Sequence, residues 1–200
     1  RYISDIWSIY DFTTVELPAI QQIRKWIDMG MNPVNISVNQ SKIVFYHENY
    51  ISELKSLLEE YNVSGSYITL EVLESTVIED IDMFNSILTE VKKLGFSVSL
   101  DDFGSGYSSL NVLSKLQIDE LKIDRIFLHT KSEVDNQRTK WILESIIDIA
   151  KKSQILVVVE GVESKQDDLF IKNLGADVGQ GYFYGRPLSI SAFNDLIETK

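Results

Sequence analysis

Residues 99–110, SLDDFGSGYSSL, place two adjacent aspartates at the end of an apolar run and follow them with glycines, a tyrosine and serines. Asp, Gly and Ser are the residues that turns use most, so this composition by itself predicts a turn. Carboxylates are also the usual ligands of hard metal ions. Which description fits Asp101 and Asp102 depends on the residues that end the neighbouring strands.

Short β-branched runs alternate along the chain with longer segments whose apolar residues recur every three or four positions. This alternation predicts an α/β fold with a parallel sheet and crossover helices. The predicted strands are Val34–Val38, Tyr67–Val72, Phe96–Leu100, Glu120–Ile123 and Ile155–Val159. The predicted helices are Val15–Met29, Tyr50–Tyr61, Asp80–Leu94, Ser108–Leu116, Asn136–Lys152, Ser164–Leu174 and Ser191–Glu198, and 127–135 is predicted to be a surface loop.

The composition describes one globular domain of 200 residues, 44% hydrophobic and without cysteine. The lack of cysteine excludes disulfides, zinc–thiolate sites and a cysteine nucleophile. A formal net charge of −11 disfavours a nucleic acid polymer as partner, because an acidic protein repels the phosphate backbone. No apolar run is long enough to cross a bilayer and the start does not resemble a signal peptide, so we expect a cytoplasmic protein or the cytoplasmic domain of a membrane protein.

Each predicted strand delivers polar side chains at the same end. In a closed parallel barrel these ends meet on one face, where side chains from different strands converge. The oxygen donors suit Mg²⁺ or Mn²⁺, and cations held by carboxylates allow an acidic protein to bind a small phosphorylated ligand. The residues at the strand ends are Asn39, Glu71, Glu74, Asp101, Asp102, Lys122, Asp124 and Glu160.

Two details of this set stay open at this point. Lys122 is either a salt-bridge partner of the acids or a group that orients a water and stabilises charge on a phosphoryl oxygen. Asp101 and Asp102 point to opposite faces of an extended strand, so both reach one site only if the chain leaves the extended form. The glycines that follow, Gly104 and Gly106, make such a departure easy.

These motifs resemble the EAL domain, the family of bacterial phosphodiesterases that linearise the second messenger cyclic di-GMP. The matching stretches are ISVNQS, LEVLES, SLDDFGSGYSSL, LKIDRIFL, VVVEGVES and VGQGYFYGRPLS, in the family's order over essentially the whole chain. The resemblance implies a (β/α)₈ TIM-like barrel with one antiparallel strand, and hydrolysis of cyclic di-GMP to pGpG at a two-metal Mg²⁺ or Mn²⁺ site. It also implies one domain over residues 1–200 of a larger protein, with fused sensor or GGDEF domains and a homodimer as partners.

The resemblance assigns metal-binding roles to four side chains. Asn39, Glu71 and Asp101 correspond to the ligands of the first metal. Asp101 and Asp102 correspond to the pair that reaches the second metal.

Four further residues receive other roles by the same resemblance. Lys122 corresponds to the lysine that positions the attacking water, and Glu160 to a glutamate that is either the general base or a metal ligand. Gln180 corresponds to a glutamine near the guanine-binding end of the substrate. Glu74 corresponds to a glutamate that steadies the loop after Asp102.

The chain departs from the family pattern at two places. Leu73 stands where threonine is usual, and no E-A-L tripeptide occurs, so we expect the first barrel strand and one metal ligand to be missing. Trp7 also stands where a glutamate is common. A degenerate module that binds cyclic di-GMP without cutting it is therefore the alternative function, and an enolase-type barrel is disfavoured because no second lysine or histidine follows a strand.

Overall fold

The computed structural model describes residues 16–77, 80–105, 113–128 and 133–198. In these residues a six-stranded sheet has the order β1-β2-β3-β4-β5-β6, and every neighbouring pair is parallel. Because the strands follow chain order, they form the successive units of a partial (β/α)₈ barrel. The strands are β1 (Ile36–Gln40), β2 (Ile68–Leu73), β3 (Ser97–Phe103), β4 (Glu120–Ile123), β5 (Leu156–Val159) and β6 (Val178–Gly179).

Helices connect the strands, as parallel pairing requires. The long helices α3, α5, α6 and α7 lie between consecutive strands, while α2 and α4 are single turns directly after β1 and β2. In the described part of the chain no helix is long and apolar enough to span a membrane. The helices are α1 (Glu16–Asp28), α2 (Lys42–Phe45), α3 (Tyr50–Tyr61), α4 (Glu74–Val77), α5 (Ile81–Lys93), α6 (Glu133–Lys152), α7 (Lys165–Leu174) and α8 (Ile190–Glu198).

The core lies between the sheet and these helices. Leu70, Leu100 and Leu121, on three adjacent strands, are fully buried, as expected for parallel strands covered on both faces. An aromatic group packs where α2, α3 and α5 meet, with the Phe45 ring centroid 5.1 Å from that of Phe84 and 5.6 Å from that of Tyr50. This packing fixes the helices that follow the first two strands.

All five predicted strands are present; β4 has the predicted bounds, and the other four are shifted at one or both ends. β1 begins two residues later than predicted because the Asn35 side chain ties down the preceding loop, accepting from Thr69 Oγ1 at 2.9 Å and donating to the Ser66 carbonyl at 3.3 Å. The two-residue strand β6 and the single-turn helices α2 and α4 were not predicted, because such short segments show no periodicity. The antiparallel strand implied by the family resemblance is not among the described strands.

The predicted helices are also present wherever the structure describes them, with two corrections. Helix α6 begins at Glu133, so the prediction of a loop through residue 135 is wrong at its end; residues 133–135 contain no glycine or proline that would stop a helix. Residues 114–116 are not helical, so the predicted helix Ser108–Leu116 ends too late. Residues 106–112 and 129–132, and Val15 and Trp7 in residues 1–15, lie outside the described residues.

Helix α7 begins at a capping box a few residues after the end of β5. Ser164 Oγ accepts from the Asp167 backbone N–H at 3.2 Å, and Asp167 Oδ2 accepts from the Ser164 N–H at 2.8 Å. The helix ends at Gly175, whose φ of 87° is the left-handed conformation that closes many helices. The box therefore fixes the chain four residues after Glu160.

We expect Ser164→Ala to lower the free energy of unfolding by about 1 kcal/mol, because it removes an N-cap acceptor. Ser145→Ala is the matched control, since Ser145 is exposed inside α6 and its hydroxyl donates to the Trp141 carbonyl one turn earlier. Alanine favours a helix interior, so the control should be neutral or stabilising. Urea unfolding of both variants tests this, and equal losses would contradict the capping role.

Candidate active site

A cavity of about 440 Å³ opens at the carboxyl ends of the strands. Every predicted site residue except Glu74 lines it, so the structure brings together side chains from all six strands or from the residues just after them. The predicted residues in the cavity are Asn39, Glu71, Asp101, Asp102, Lys122, Glu160 and Gln180.

Strand register sets the height of each of these side chains along the sheet. Asn39 of β1 pairs directly with Glu71 of β2, so two oxygen donors lie side by side on adjacent strands. Glu71 in turn pairs with Ser99, which puts Asp101 two residues further along the same face of β3. The site is therefore built in layers, as in other parallel barrels.

The Lys122 ammonium lies among two carboxylates from β2 and β3 and a third from the residue just after β5. Its Nζ is 3.1 Å from Glu71 Oε1, 3.0 Å from Asp101 Oδ1 and 2.7 Å from Glu160 Oε1. The Lys122 side chain is only 5% exposed, and those of Glu71, Asp101 and Glu160 are 3%, 12% and 19% exposed. Because three acids surround one base, the cluster has an excess of negative charge.

That excess determines which groups hold protons. Burial by itself would lower the pKa of Lys122, but the charges of Glu71, Glu160 and Asp101 outweigh burial and raise it, so the ammonium stays charged. Burial raises the pKa of Glu160 to about 7, against the lowering effect of Lys122 and with help from the charge of Asp101. Burial also raises the pKa of Glu71. A glutamate with a pKa near 7 suits proton transfer at neutral pH.

The backbone leaves the extended form at Asp102 itself. Its φ is +57°, and the pairing of β3 with β4 shifts between Leu100 and Phe103. The departure was expected at the glycines that follow, but Asp is one of the few L-residues that tolerates the left-handed region. Asp102 N–H donates to Asp101 Oδ1 at 3.0 Å, so the bulge holds both aspartates against one cavity.

One group of acids is close enough to share a cation. Single carboxylate oxygens of Asp101, Asp102 and Glu160 lie within 4.8 Å of one another. Partial burial raises the pKa of Asp102, and the charges of Asp101 and Asp124 add to this effect. Glu71 Oε1 lies 3.1 Å from the Lys122 ammonium, and a carboxylate oxygen has a second lone pair for a further partner. Such an all-oxygen donor set fits a hard divalent cation.

Glu74 lies apart from the cavity. It is buried at the start of α4, and α4 packs beside β2 and β3. Residues 106–112 of the loop that Glu74 was predicted to steady lie outside the described residues, so that role stays a prediction.

The sequence analysis missed several residues that line the cavity. Arg125, Glu163 and Tyr182 follow β4, β5 and β6 within a few positions, and the signal that could have identified them is this position after a strand. Gly161 is also part of the wall, with a φ of +71° and no room for a Cβ, which would overlap the Arg125 side chain. The aliphatic part of the Arg125 side chain packs against the turn after Glu160. It can do so because residue 161 is a glycine.

Comparisons with known proteins identify relatives of this chain. A model of the EAL domain matches residues 13–187. The chain is 35% identical over 170 residues to the bifunctional diguanylate cyclase/cyclic di-GMP phosphodiesterase MucR of Pseudomonas aeruginosa, and 33% identical over 180 residues to the cyclic di-GMP phosphodiesterase PdeR of Escherichia coli. These matches cover 85% and 90% of this chain but 24% and 27% of the relatives, so the chain spans about a quarter of their length.

The fold is likewise similar to a solved structure. The PaMucR phosphodiesterase in complex with cyclic di-GMP superposes with a TM-score of 0.79 at 33% sequence identity. The match covers 90% of this chain and 77% of that one.

We expect Lys122→Met, measured in chelator, to lower the free energy of unfolding by about 3–5 kcal/mol at pH 8, because it leaves buried carboxylates unpaired. Glu71 and Glu160 have raised folded-state pKa values, so their stabilising protonation is complete at low pH and is lost as the pH rises. Loss of the lysine raises these pKa values further. The free energy of unfolding that Lys122→Met loses relative to wild type should therefore be smaller at pH 6 than at pH 8.

Urea unfolding at the two pH values checks this expectation. Lys152→Met is the control, because Lys152 forms an exposed i,i+4 pair with Asp148 and should cost less than about 1 kcal/mol at either pH. A deficit for Lys122→Met that does not change with pH would contradict the charge argument.

Proposed function

This chain belongs to the EAL domain family, and from that premise we propose that it hydrolyses cyclic di-GMP to the linear dinucleotide pGpG in a metal-dependent reaction. The observation that carries the proposal is the convergence of Lys122 with Glu71, Asp101 and Glu160 in one cavity at the strand ends. The names of the relatives MucR and PdeR support the same substrate. The product follows from cutting one of the two phosphodiester bonds.

The residues of the cavity suit a divalent cation, and we infer that it is Mg²⁺ or Mn²⁺ at a two-metal site. Asp101, Asp102 and Glu160 would hold it, with Glu71 and Asn39 as further oxygen donors. Such a cation supplies a water of lowered pKa and neutralises charge on the phosphodiester.

The protein side chains contribute proton handling and positioning. Lys122 keeps its charge, so it acts as a hydrogen-bond donor toward the attacking water or a phosphoryl oxygen and not as a base. Glu160 lies 2.7 Å from that ammonium and has a raised pKa in the metal-free protein, so it is either a ligand of the cation or the group that accepts the proton that the water loses. Attack on phosphorus then releases the 3′ oxygen, which takes up a proton.

The second candidate is a receptor that binds cyclic di-GMP without cutting it. Leu73 favours this reading, since it replaces the usual threonine between Glu71 and Glu74 and is 42% exposed. The intact set of acids around Lys122 favours the enzyme, because a receptor does not need a lysine paired to three carboxylates.

We also infer that the chain acts as one domain of a longer cytoplasmic protein or of a protein with a cytoplasmic part. Its matches cover only about a quarter of MucR and PdeR. Fused sensor or GGDEF domains and a homodimer are the partners that we expect.

We expect purified full-length protein to convert cyclic di-GMP to pGpG in the presence of Mg²⁺ or Mn²⁺. The conversion should stop when a chelator is added. Chromatography of the nucleotides over time measures this. If calorimetry detects binding of cyclic di-GMP but no pGpG forms with either metal, the protein is a receptor and not a phosphodiesterase.

Asp101→Asn should reduce kcat/KM at least about 100-fold, because it removes a carboxylate ligand while keeping the side-chain shape. Asp148→Asn is the control, since Asp148 lies on the exposed face of α6 and should leave the rate unchanged. If Asp101→Asn keeps wild-type activity, the acid cluster is not the site of the reaction.

A further inference from the structure

Arg125 is a basic residue of the cavity that has no acidic partner. It lines the cavity wall directly after Asp124, and its side chain is exposed. Within the described residues its guanidinium forms no ion pair and no hydrogen bond. We propose that Arg125 binds the phosphodiester of cyclic di-GMP that is not cut, and that it thereby favours dinucleotides over ligands with a single phosphate group. This inference rests on the proposed function, because it assumes a substrate with two phosphodiesters.

Lys122 is the other basic residue among the described residues that line the cavity. Its Nζ lies within 3.1 Å of oxygens of Glu71, Asp101 and Glu160, and its side chain is only 5% exposed. These acids hold the ammonium deep in the cavity, at the place where the cation and the phosphodiester that is cut would lie. A guanidinium has five N–H donors in a planar fork that matches the oxygens of a phosphate. Of the two basic residues, the exposed Arg125 is therefore the one that is available to a second phosphate.

The backbone and the aliphatic part of Arg125 are fixed by their surroundings. Asp124 N–H donates to the Phe103 carbonyl at 3.2 Å, and Leu128 N–H donates to the Arg125 carbonyl at 2.9 Å. The aliphatic part of the side chain packs so closely on Gly161 that a Cβ there would overlap it. Because these atoms are already held in place, the guanidinium loses less conformational freedom when it binds a ligand.

Arg125 lies beside the acids that would hold the cation but is not one of their partners. Gly161, on which its side chain packs, directly follows Glu160. Asp101, Asp102 and Glu160 are close enough to share a cation, which would hold the phosphodiester that is cut. Both phosphodiesters of cyclic di-GMP belong to one ring, so the second one lies close to the first. Arg125 would attract this second phosphate, which the surrounding acids would otherwise repel.

Hydrolysis of two substrates by the full-length protein tests the proposal. Arg125→Gln should raise KM for cyclic di-GMP about 10-fold or more and leave kcat within about threefold, because it removes a charge-assisted hydrogen bond and no reacting group. Bis(p-nitrophenyl) phosphate has one phosphodiester, so its kcat/KM should stay within about twofold of wild type. Arg125→Lys keeps a positive charge and should recover part of the affinity for cyclic di-GMP.

Arg24→Gln is the control for these kinetics, because Arg24 pairs with Asp28 on α1, away from the cavity, and should change neither substrate's kinetics. An unchanged KM for cyclic di-GMP in Arg125→Gln would overturn the proposal. An equal loss with both substrates would also overturn it, because Arg125 would then act on the reacting phosphodiester and not on the second one.

A binding experiment separates this inference from the proposed function. Calorimetry with Mg²⁺ compares pGpG, which retains the uncut phosphodiester, with GMP, which has a single phosphate. Arg125→Gln should weaken the binding of pGpG about 10-fold and leave that of GMP within about twofold of wild type. Equal losses for the two ligands, or no loss for pGpG, would overturn the proposal. If cyclic di-GMP is not hydrolysed but the affinity for pGpG alone depends on Arg125, only the proposed reaction is refuted.

Discussion

One buried lysine determines how the strand ends are arranged. Lys122 lies within 3.1 Å of carboxylate oxygens on three elements, so its charge makes a close approach of Glu71, Asp101 and Glu160 tolerable. Without a counter-charge, three acids at this depth would repel one another and bind protons. The parallel register brings these side chains to the same end of the sheet, and the charge of the lysine balances part of their negative charge.

Much of the fold could be predicted because its signals are local and repeated. Buried parallel strands read as apolar runs, and helices such as α5 and α7 begin and end at caps that the sequence displays, Asp80 and Ser164 at the starts and Gly175 at one end. The prediction was less accurate at segments shorter than one period, such as β6, and at the start of β1, where a side-chain contact of Asn35 decided the boundary.

The site was predictable to the extent that it depends on strand ends. The acids and Lys122 stand in visible positions, and only tertiary register could show that Lys122 contacts three of them. Arg125 and Tyr182 were missed because their positions depend on close packing between separate segments: the Arg125 side chain packs on Gly161, and Gly181, next to Tyr182, packs on the Val162 backbone. That packing depends on contacts between separate segments, which neither composition nor periodicity encodes.

The left-handed backbone at Asp102 restricts what this position can become during evolution. Asparagine and glycine tolerate such a backbone, whereas valine or isoleucine would pay for it with steric strain. Asparagine or glycine at this position would therefore remove the carboxylate and leave the loop conformation intact. Replacement of Asp102 by a β-branched residue would remove the carboxylate and also change the loop conformation, so a single substitution would cause both losses.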